Sequence, residues 1–506
     1  MKKIINKSNI ISIIKKIKND KKKIVLCHGV FDVVHYGHIL HFKSAKKFGD
    51  ILVVSITKDK FIKKGLGRPV FNENQRINYL CELKIIDYIY ICETESAEDS
   101  IKSIKPDFYI KGPDYKHNYL DKTKKIYAEK SLVKKNGGQI KYTADIQFSS
   151  SNIINEKNLL TINKDQFNYL KLIKNRFGYD YIKGEIKKFK KIKTLVIGEL
   201  IFDHYCFGDI IGKSGKEPHL VLKENNDEFY TGGSGAIARH LSSFVSKVDL
   251  ISPFGEEKLL KKIIKNDFSN NINCFFLRPY KNYSSIIKKR YIDRISNYKM
   301  FGSYILPNKA DKKFSDDLIR LIKKRAVNKD IILICDYGHD FIDKKTSTIL
   351  SSLKQFISLN TQLNAANISH HNLNNYKNIN SLVINATELR REFRDDTSPL
   401  ESLANILIKK NKIINLIVTM GKNGAALFRK NSKPIYCPAF VTQSIDKVGA
   451  GDAMLSVSSL ALKNNLEPEI TLFLGSIAAA ICVQNIGNKV SINFDELDRI
   501  IEYMLK

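Results

Sequence analysis

One stretch of this chain reads His28-Gly29-Val30-Phe31-Asp32-Val33-Val34-His35-Tyr36-Gly37-His38 and leads into a helix-forming segment. Gly29 lets a phosphate approach the backbone closely, and the amides that open the next helix point toward it. His35 and His38 can reach one anionic group from a single turn. There they would donate hydrogen bonds to a phosphoryl group as its charge builds, which is electrostatic stabilisation and not base catalysis. The plainer alternative is a structural or metal-binding histidine pair. A second stretch, Asp446-Lys447-Val448-Gly449-Ala450-Gly451-Asp452-Ala453, precedes an apolar helix. Its glycines let successive amides converge into an anion nest at a helix N-terminus. Asp452 follows directly, where a carboxylate would take the proton of a hydroxyl attacking a γ-phosphate.

Such groups need a scaffold, and the hydrophobic pattern provides one. Through the first 150 residues short β-branched runs alternate with helical stretches, as strands at 24–27, 51–56, 88–92 and 108–110 and helices at 39–48, 73–83 and 97–104. This predicts a parallel sheet with crossover helices. A second series starts at 194–198 and continues with strands at 331–335, 382–384 and 416–419. The expected fold class is α/β, with a Rossmann-like domain over 1–155, a lysine-rich helical connector over 156–190 and a second α/β domain over 191–506. Two segments of mixed character, 219–230 and 286–293, interrupt the second series and are expected to form a small sheet over its site. The Asn- and His-dense stretch 364–380 is expected to be a surface loop and helix.

With 506 residues, 43% of them hydrophobic and 27% charged, the chain can bury two separate cores and is not of disordered composition. Its longest apolar run, Ile477 to Val483, is too short to cross a bilayer, and its basic N-terminus lacks the apolar stretch of an export signal, so a cytoplasmic location is expected. The eight cysteines are scattered without a Cys-x-x-Cys pair, which predicts reduced core residues. A net charge of +32 raises nucleic-acid binding as a class. Both halves are basic, however, and the lysines lie among isoleucine and asparagine on solvated helix faces. Neither a nucleic-acid nor a membrane partner is expected.

The histidine string, in its strand-to-helix position, resembles the nucleotidyltransferase superfamily that includes cytidylyltransferases and the adenylyltransferase domain of bacterial ADP-heptose synthases. The likeness covers residues 24–155. Further matches are Lys46 in Ser44-Ala45-Lys46-Lys47, Gly67-Arg68-Pro69, Asn74-Gln75-Arg76, Lys111-Gly112-Pro113-Asp114 and Ser149-Ser150-Ser151. The resemblance implies that His35, His38 and Lys46 are catalytic, and that Gly29, Phe31, Asp32, Arg68, Arg76, Lys111, Ser149, Ser150 and Ser151 bind the nucleotide. It implies nucleotidyl transfer from ATP, or from CTP, to a phosphorylated sugar or alcohol, with pyrophosphate leaving and Mg2+ on the triphosphate.

Residues 191–506 resemble the ribokinase-like carbohydrate kinases, and within them the heptose-phosphate kinases. The likeness is carried by Gly198-Glu199-Leu200-Ile201-Phe202-Asp203, Gly232-Gly233-Ser234-Gly235, Asp336-Tyr337-Gly338, Asn385-Ala386-Thr387-Glu388, Gly421-Lys422-Asn423-Gly424 and the string ending in Asp452. It implies that Asp203, Gly232, Gly233 and Asp336 hold the sugar. Asn385, Glu388, Gly421, Gly424, Gly449, Ala450 and Gly451 would bind the nucleotide, Glu388 would reach Mg2+ indirectly, and the two interrupting strands would be the family's β lid. Gly235 and Arg239 stand where heptose kinases carry asparagines, Asn360-Thr361-Gln362 where they carry Asp-Pro-Lys, and Lys447 where a residue such as Thr or Val is usual. These departures surround the sugar and leave its identity open.

Together the two resemblances imply an enzyme that activates a sugar in two steps, with small sugar phosphates and a nucleoside triphosphate as partners. In ADP-heptose synthases the kinase precedes the transferase, whereas here the order is reversed, which two self-contained domains tolerate. Between the two steps that family relies on a separate phosphatase. A homodimer is left open. One alternative is a cytidylyltransferase for glycerol phosphate or a similar alcohol phosphate, fused to a kinase for another sugar. The other is a non-catalytic basic protein that binds nucleic acid or regulates.

Overall fold

The computed structural model describes residues 3–62, 69–112, 126–143, 163–294, 296, 298–311, 313–362, 373–441 and 445–505. The chain divides into two compact units, Met1–Asn163 and Lys164–Lys506.

The first unit holds a six-stranded sheet whose order across the edge is Ile4–Ile5, Tyr88–Cys92, Ile51–Thr57, Ile24–Gly29, Phe108–Lys111 and Gln139–Tyr142. All of its pairings are parallel. Strands covered by helices on both faces bury side chains on both, which is why Ile24, Val25, Leu26 and Cys27 are all fully buried. The expected strands are present within one or two residues at each end. The helix expected at 39–48 instead runs Tyr36–Lys46. Its first turn, Tyr36-Gly37-His38, carries no apolar stripe from which the periodicity would show it. Helices Ile10–Asn19 and Ile126–Lys135 and the strand Gln139–Tyr142 also belong to the unit, beyond the elements expected from the sequence.

The second unit has a nine-stranded sheet ordered Ile272–Leu277, Val248–Pro253, Thr194–Gly198, Ile331–Asp336, Phe356–Thr361, Ser381–Asn385, Asn415–Thr419, Ala425–Phe428 and Ile435–Cys437. Its first seven strands are parallel and the last two antiparallel. A separate four-stranded sheet, ordered Lys299–Ile305, Ile286–Asp293, Leu200–Lys213 and Leu220–Gly233, is the small sheet expected from two of these segments. Leu200–Lys213 follows the core strand after Glu199 alone, so in sequence the two read as one apolar stretch. Within the span expected as a connector, helices Lys164–Arg176 and Tyr179–Lys188 belong to this unit. The Tyr169 hydroxyl donates to the Glu469 carbonyl at 2.8 Å, and Lys183 pairs with Asp498 at 2.8 Å. Of the Asn- and His-dense stretch, 364–372 lies outside the described residues, and Leu373–Asn375 is a single 3-10 turn.

Candidate active sites

In the first unit the central strand ends at Gly29, and the helix that follows starts immediately after His35, which is extended. Between them Phe31 takes φ +50°, a left-handed conformation that an aromatic residue adopts only under constraint. The constraint comes from helix Glu73–Cys81. Arg76, fully buried, donates to the Val30 carbonyl at 2.6 Å, the Thr57 carbonyl at 2.8 Å and Asp59 at 2.6 Å, while the Tyr79 hydroxyl donates to the carbonyls of Phe31 and Asp32. Held this way, Phe31 meets the His38 ring edge-on at 5.3 Å, and His35 stacks on His38 with centroids 4.0 Å apart. The His35 amide donates to His38 Nδ1 at 3.3 Å. Burial lowers the pKa of His35, so its ring is uncharged at neutral pH. The arrangement therefore presents an imidazole stack at the carboxyl end of the sheet and the N-terminus of a helix, a setting whose donors suit an anionic group.

Several expected residues serve this geometry without lining it. Arg76, expected on phosphate oxygens, has its two terminal nitrogens on two carbonyls and Asp59, while its Nε is buried without a hydrogen-bond partner. Asp32 is 2% exposed and accepts from the Phe71 amide at 3.0 Å, so it anchors the segment before that helix. Lys46 lies at the far end of the helix Tyr36–Lys46, and at 1.5 Å per residue that is roughly 15 Å from its start. It pairs with Asp87 and donates to the Asp50 carbonyl at 2.6 Å, next to the amino end of strand Ile51–Thr57. The catalytic role expected for Lys46 is thereby corrected, because the helix length carries it to the opposite edge of the sheet. Lys46→Ala should leave pyrophosphate release within about twofold of wild type and cost about 0.5–1 kcal/mol in a denaturant melt, as expected of a half-exposed pair. Lys111 stays at the carboxyl edge but is 8% exposed and 3.1 Å from Glu129. Burial alone would raise the pKa of Glu129, but Lys111 and the Ala97 amide hold it below its usual value. Arg68, Ser149, Ser150 and Ser151 lie outside the described residues.

In the second unit Gly449 caps the helix Ala450–Lys463 with φ +86°, so its amides and those of Ala450 and Gly451 open the helix. A Cβ at 449 would strike Asn488 Oδ1. Asn488 is the joint of the site, because its amide donates to Asp203 Oδ2 at 2.9 Å and a Cβ at Gly232 would come within 3.0 Å of it. Asp203, 3% exposed, also pairs with Arg290 from the small sheet. Gly233 takes φ +57° where the strand turns into helix Ser234–Ser242. Asp446, expected only as the start of the string, pairs with Lys299 at 2.6 Å and accepts from the Gly487 amide at 2.9 Å. Burial pushes its pKa up, but Lys299 and the amides outweigh this and lower it.

Asp452 is half-buried in the first turn of that helix, and its Oδ1 accepts from the Tyr337 hydroxyl at 2.9 Å. Burial pushes its pKa up to about 7, with the charges of Asp203 and Glu388 adding to the rise and the Tyr337 hydrogen bond and Lys288 opposing it. A carboxylate poised there is suited to a base at neutral pH. Asn385 and Glu388 cap their helix reciprocally, the Glu388 amide donating to Asn385 Oδ1 at 2.8 Å and the Asn385 amide to Glu388 Oε2 at 3.0 Å. Carboxylate oxygens of this kind suit a Mg2+ ion carried on nucleotide phosphates. Gly421 and Gly424 flank a short turn with φ +58° and +86°, and Gly424 packs on the Cys437 carbonyl. Asp336, expected on the sugar, is 3% exposed and accepts from the Tyr376 hydroxyl at 2.8 Å and the Gly338 amide at 3.0 Å. Beside it Glu199 is fully buried and accepts the amides of Tyr337 and His339, and burial raises the pKa of both acids.

Sequence reasoning did not single out Tyr79, Lys288, Arg290, Lys299 or Asn488. The lysines and arginines among them are hidden in a chain with 84 basic residues. Tyr79 and Asn488 reach these sites only through tertiary contacts.

The pfkB family of carbohydrate kinases matches residues 191–493, and a cytidylyltransferase-like family matches 26–157. The bifunctional protein HldE of Campylobacter jejuni strain RM1221 is 41% identical over 117 residues, which span 23% of this chain and 25% of that protein. HldE of Histophilus somni strain 129Pt is 24% identical over 317 residues, covering 62% of this chain and 64% of the relative. Among solved structures, phosphofructokinase-2 from Escherichia coli in complex with potassium aligns with a TM-score of 0.52 at 16% identity, and a ribokinase from Thermotoga maritima with 0.50 at 17%. Each alignment covers 62% of this chain and 99% of the other, and at these identities the likeness is one of fold. Among the described residues no helix is long and apolar enough to cross a membrane.

Proposed function

This chain belongs to the pfkB family of carbohydrate kinases and carries a cytidylyltransferase-like domain ahead of the kinase domain, and we propose that it is a bifunctional sugar-activating enzyme. The second unit would phosphorylate a sugar or sugar phosphate of the heptose-7-phosphate kind with ATP. The first would transfer a nucleotidyl group, adenylyl in the main reading, to a sugar 1-phosphate, giving a nucleotide sugar and pyrophosphate.

The reading rests on one observation: Asp452 stands at the mouth of a glycine-capped helix N-terminus in a pfkB fold. In the kinase step Asp452 takes the acceptor hydroxyl proton, the acceptor oxygen bonds to the γ-phosphorus, and the bond from that phosphorus to the β,γ-bridging oxygen breaks to leave ADP. Residues Gly449–Gly451 face the charge that develops. Mg2+ on the triphosphate would neutralise part of that charge. In the transfer step an already ionised phosphate oxygen of the acceptor attacks the α-phosphorus and pyrophosphate leaves. No proton has to be removed, which suits a pair of imidazoles acting as hydrogen-bond donors and no carboxylate base.

The test is incubation of the full chain with each nucleoside triphosphate and a panel of sugars and sugar phosphates, with ADP formation and pyrophosphate release followed separately. The expected result is ADP with a heptose phosphate and pyrophosphate with a sugar 1-phosphate and ATP. Pyrophosphate only with CTP and an alcohol phosphate would replace the transferase half. No turnover of any triphosphate would overturn the reading.

A further inference from the structure

Two side chains that are not among the expected site residues converge on Asp452. Tyr337 is 2% exposed and fixed at both ends. Its amide donates to Glu199 Oε2 at 3.0 Å, and its hydroxyl donates to Asp452 Oδ1 at 2.9 Å. From the other side comes strand Ile286–Asp293, which pairs in parallel with Leu200–Lys213 so that Lys288 lies beside Asp203. Side chains alternate along a strand, so Ile286, Lys288 and Arg290 share one face, and Ile286 and Lys288 are both buried on it. The two other cations of this sheet that face the site are matched one to one, Arg290 with Asp203 and Lys299 with Asp446. Lys288 is 6% exposed and its ammonium lies 5.7 Å from the centre of the Tyr304 ring, and among the described residues no carboxylate lies within ion-pair distance of it. A buried cation with a ring face but no carboxylate partner is costly unless something in the working site compensates it.

We propose that Tyr337 and Lys288 are the positioning residues of the phosphoryl-transfer site. The tyrosine hydroxyl pins one oxygen of Asp452 and so presents the other to the acceptor hydroxyl, while the lysine ammonium sits where the base and the transferred phosphoryl group share their negative charge. The proposal rests on the kinase reading above. The surrounding groups agree with it. Asp452 is faced by Tyr337 and Cys335 from the core strand and its end, Asp203 and Lys288 from the small sheet, Glu388 from its helix and Cys482 from helix Pro468–Cys482. Lys288 is faced by Asp203, Arg290, Glu199, Asp452 and His339. Burial first, and then the Lys288 charge, lowers the pKa of His339 to about 4, so the neighbouring imidazole is neutral; burial lowers the pKa of Lys288 as well, against the charges of Asp203, Glu199 and Asp452, which raise it.

The experiment compares ADP formation by the full chain and by its Tyr337→Phe, Lys288→Met and Lys288→Arg variants from pH 5.5 to 9, with circular dichroism as the folding control. Tyr337→Phe keeps the ring and removes only the hydroxyl. It should lower kcat roughly ten- to a hundredfold, the effect of losing one hydrogen bond to a charged group, with KM for the acceptor within about threefold. Both Tyr337→Phe and Lys288→Met should move the acid limb of the kcat profile to higher pH by about one unit, because each removes a group that favours the ionised carboxylate. Lys288→Arg should restore the limb. Folded variants whose acid limb does not move, or an arginine variant as impaired as the methionine one, would overturn the proposal while leaving the kinase reading standing. Wild-type protein that forms no ADP with any acceptor would overturn both.

Discussion

Asp452→Asn is expected to abolish ADP formation while pyrophosphate release proceeds at the wild-type rate. The amide keeps the shape and the hydrogen bond from Tyr337 but cannot accept the acceptor proton, so the loss should be about 10²- to 10⁴-fold in kcat. The wild-type pH profile carries an independent signature. Because burial pushes the Asp452 pKa up to about 7, the protonated, inactive form dominates below that pH. ADP formation should therefore fall about tenfold per pH unit as pH drops below 7 and level off above it. A profile already flat at pH 5 would mean that some other group takes the proton. An asparagine variant that retains more than about a tenth of the wild-type rate would mean the same.

His38→Ala is expected to do the reverse, abolishing pyrophosphate release and sparing ADP formation. Removing one preorganised donor from a developing phosphoryl charge costs about 10²- to 10³-fold in similar sites. The loss should exceed the average for one donor because His38 also supports the His35 ring at 4.0 Å and is itself held edge-on by Phe31 at 5.3 Å. Rates measured by pyrophosphate release and by ADP formation on the same preparation decide it. Equal silencing of both activities in a folded variant would break the division of labour between the two units.

How much of this was legible differed between the two sites. In the first unit the strand-to-helix string announced the histidines, because the groups that touch substrate sit next to each other in the chain. Lys46 misled for a physical reason: ten residues of helix carry it from His35 at the carboxyl ends of the strands to their amino ends, and motif adjacency carries no length scale. Arg76 misled differently, since a scarce arginine near a candidate phosphate site fits a clamp on the Val30 and Thr57 carbonyls as well as it fits a ligand. In the second unit Asp452 and its glycines were readable as a local turn. The hydrogen bond that holds Asp336 to Tyr376 was not, because it joins segments 40 residues apart.

From order and residue type alone came the α/β class, two domains, a glycine turn feeding a helix in each, and the acid and histidines those turns present. These are local properties, set by hydrophobic period and by which residues tolerate a left-handed or tightly turned backbone. Tertiary structure alone decided what each charge is for. Whether a lysine, arginine or aspartate faces a ligand or a carbonyl depends on its distance to groups hundreds of residues away, as for Asn488 and Asp203, which lie 285 residues apart. Electrostatic energy depends on that distance and on burial, and neither can be read along the chain.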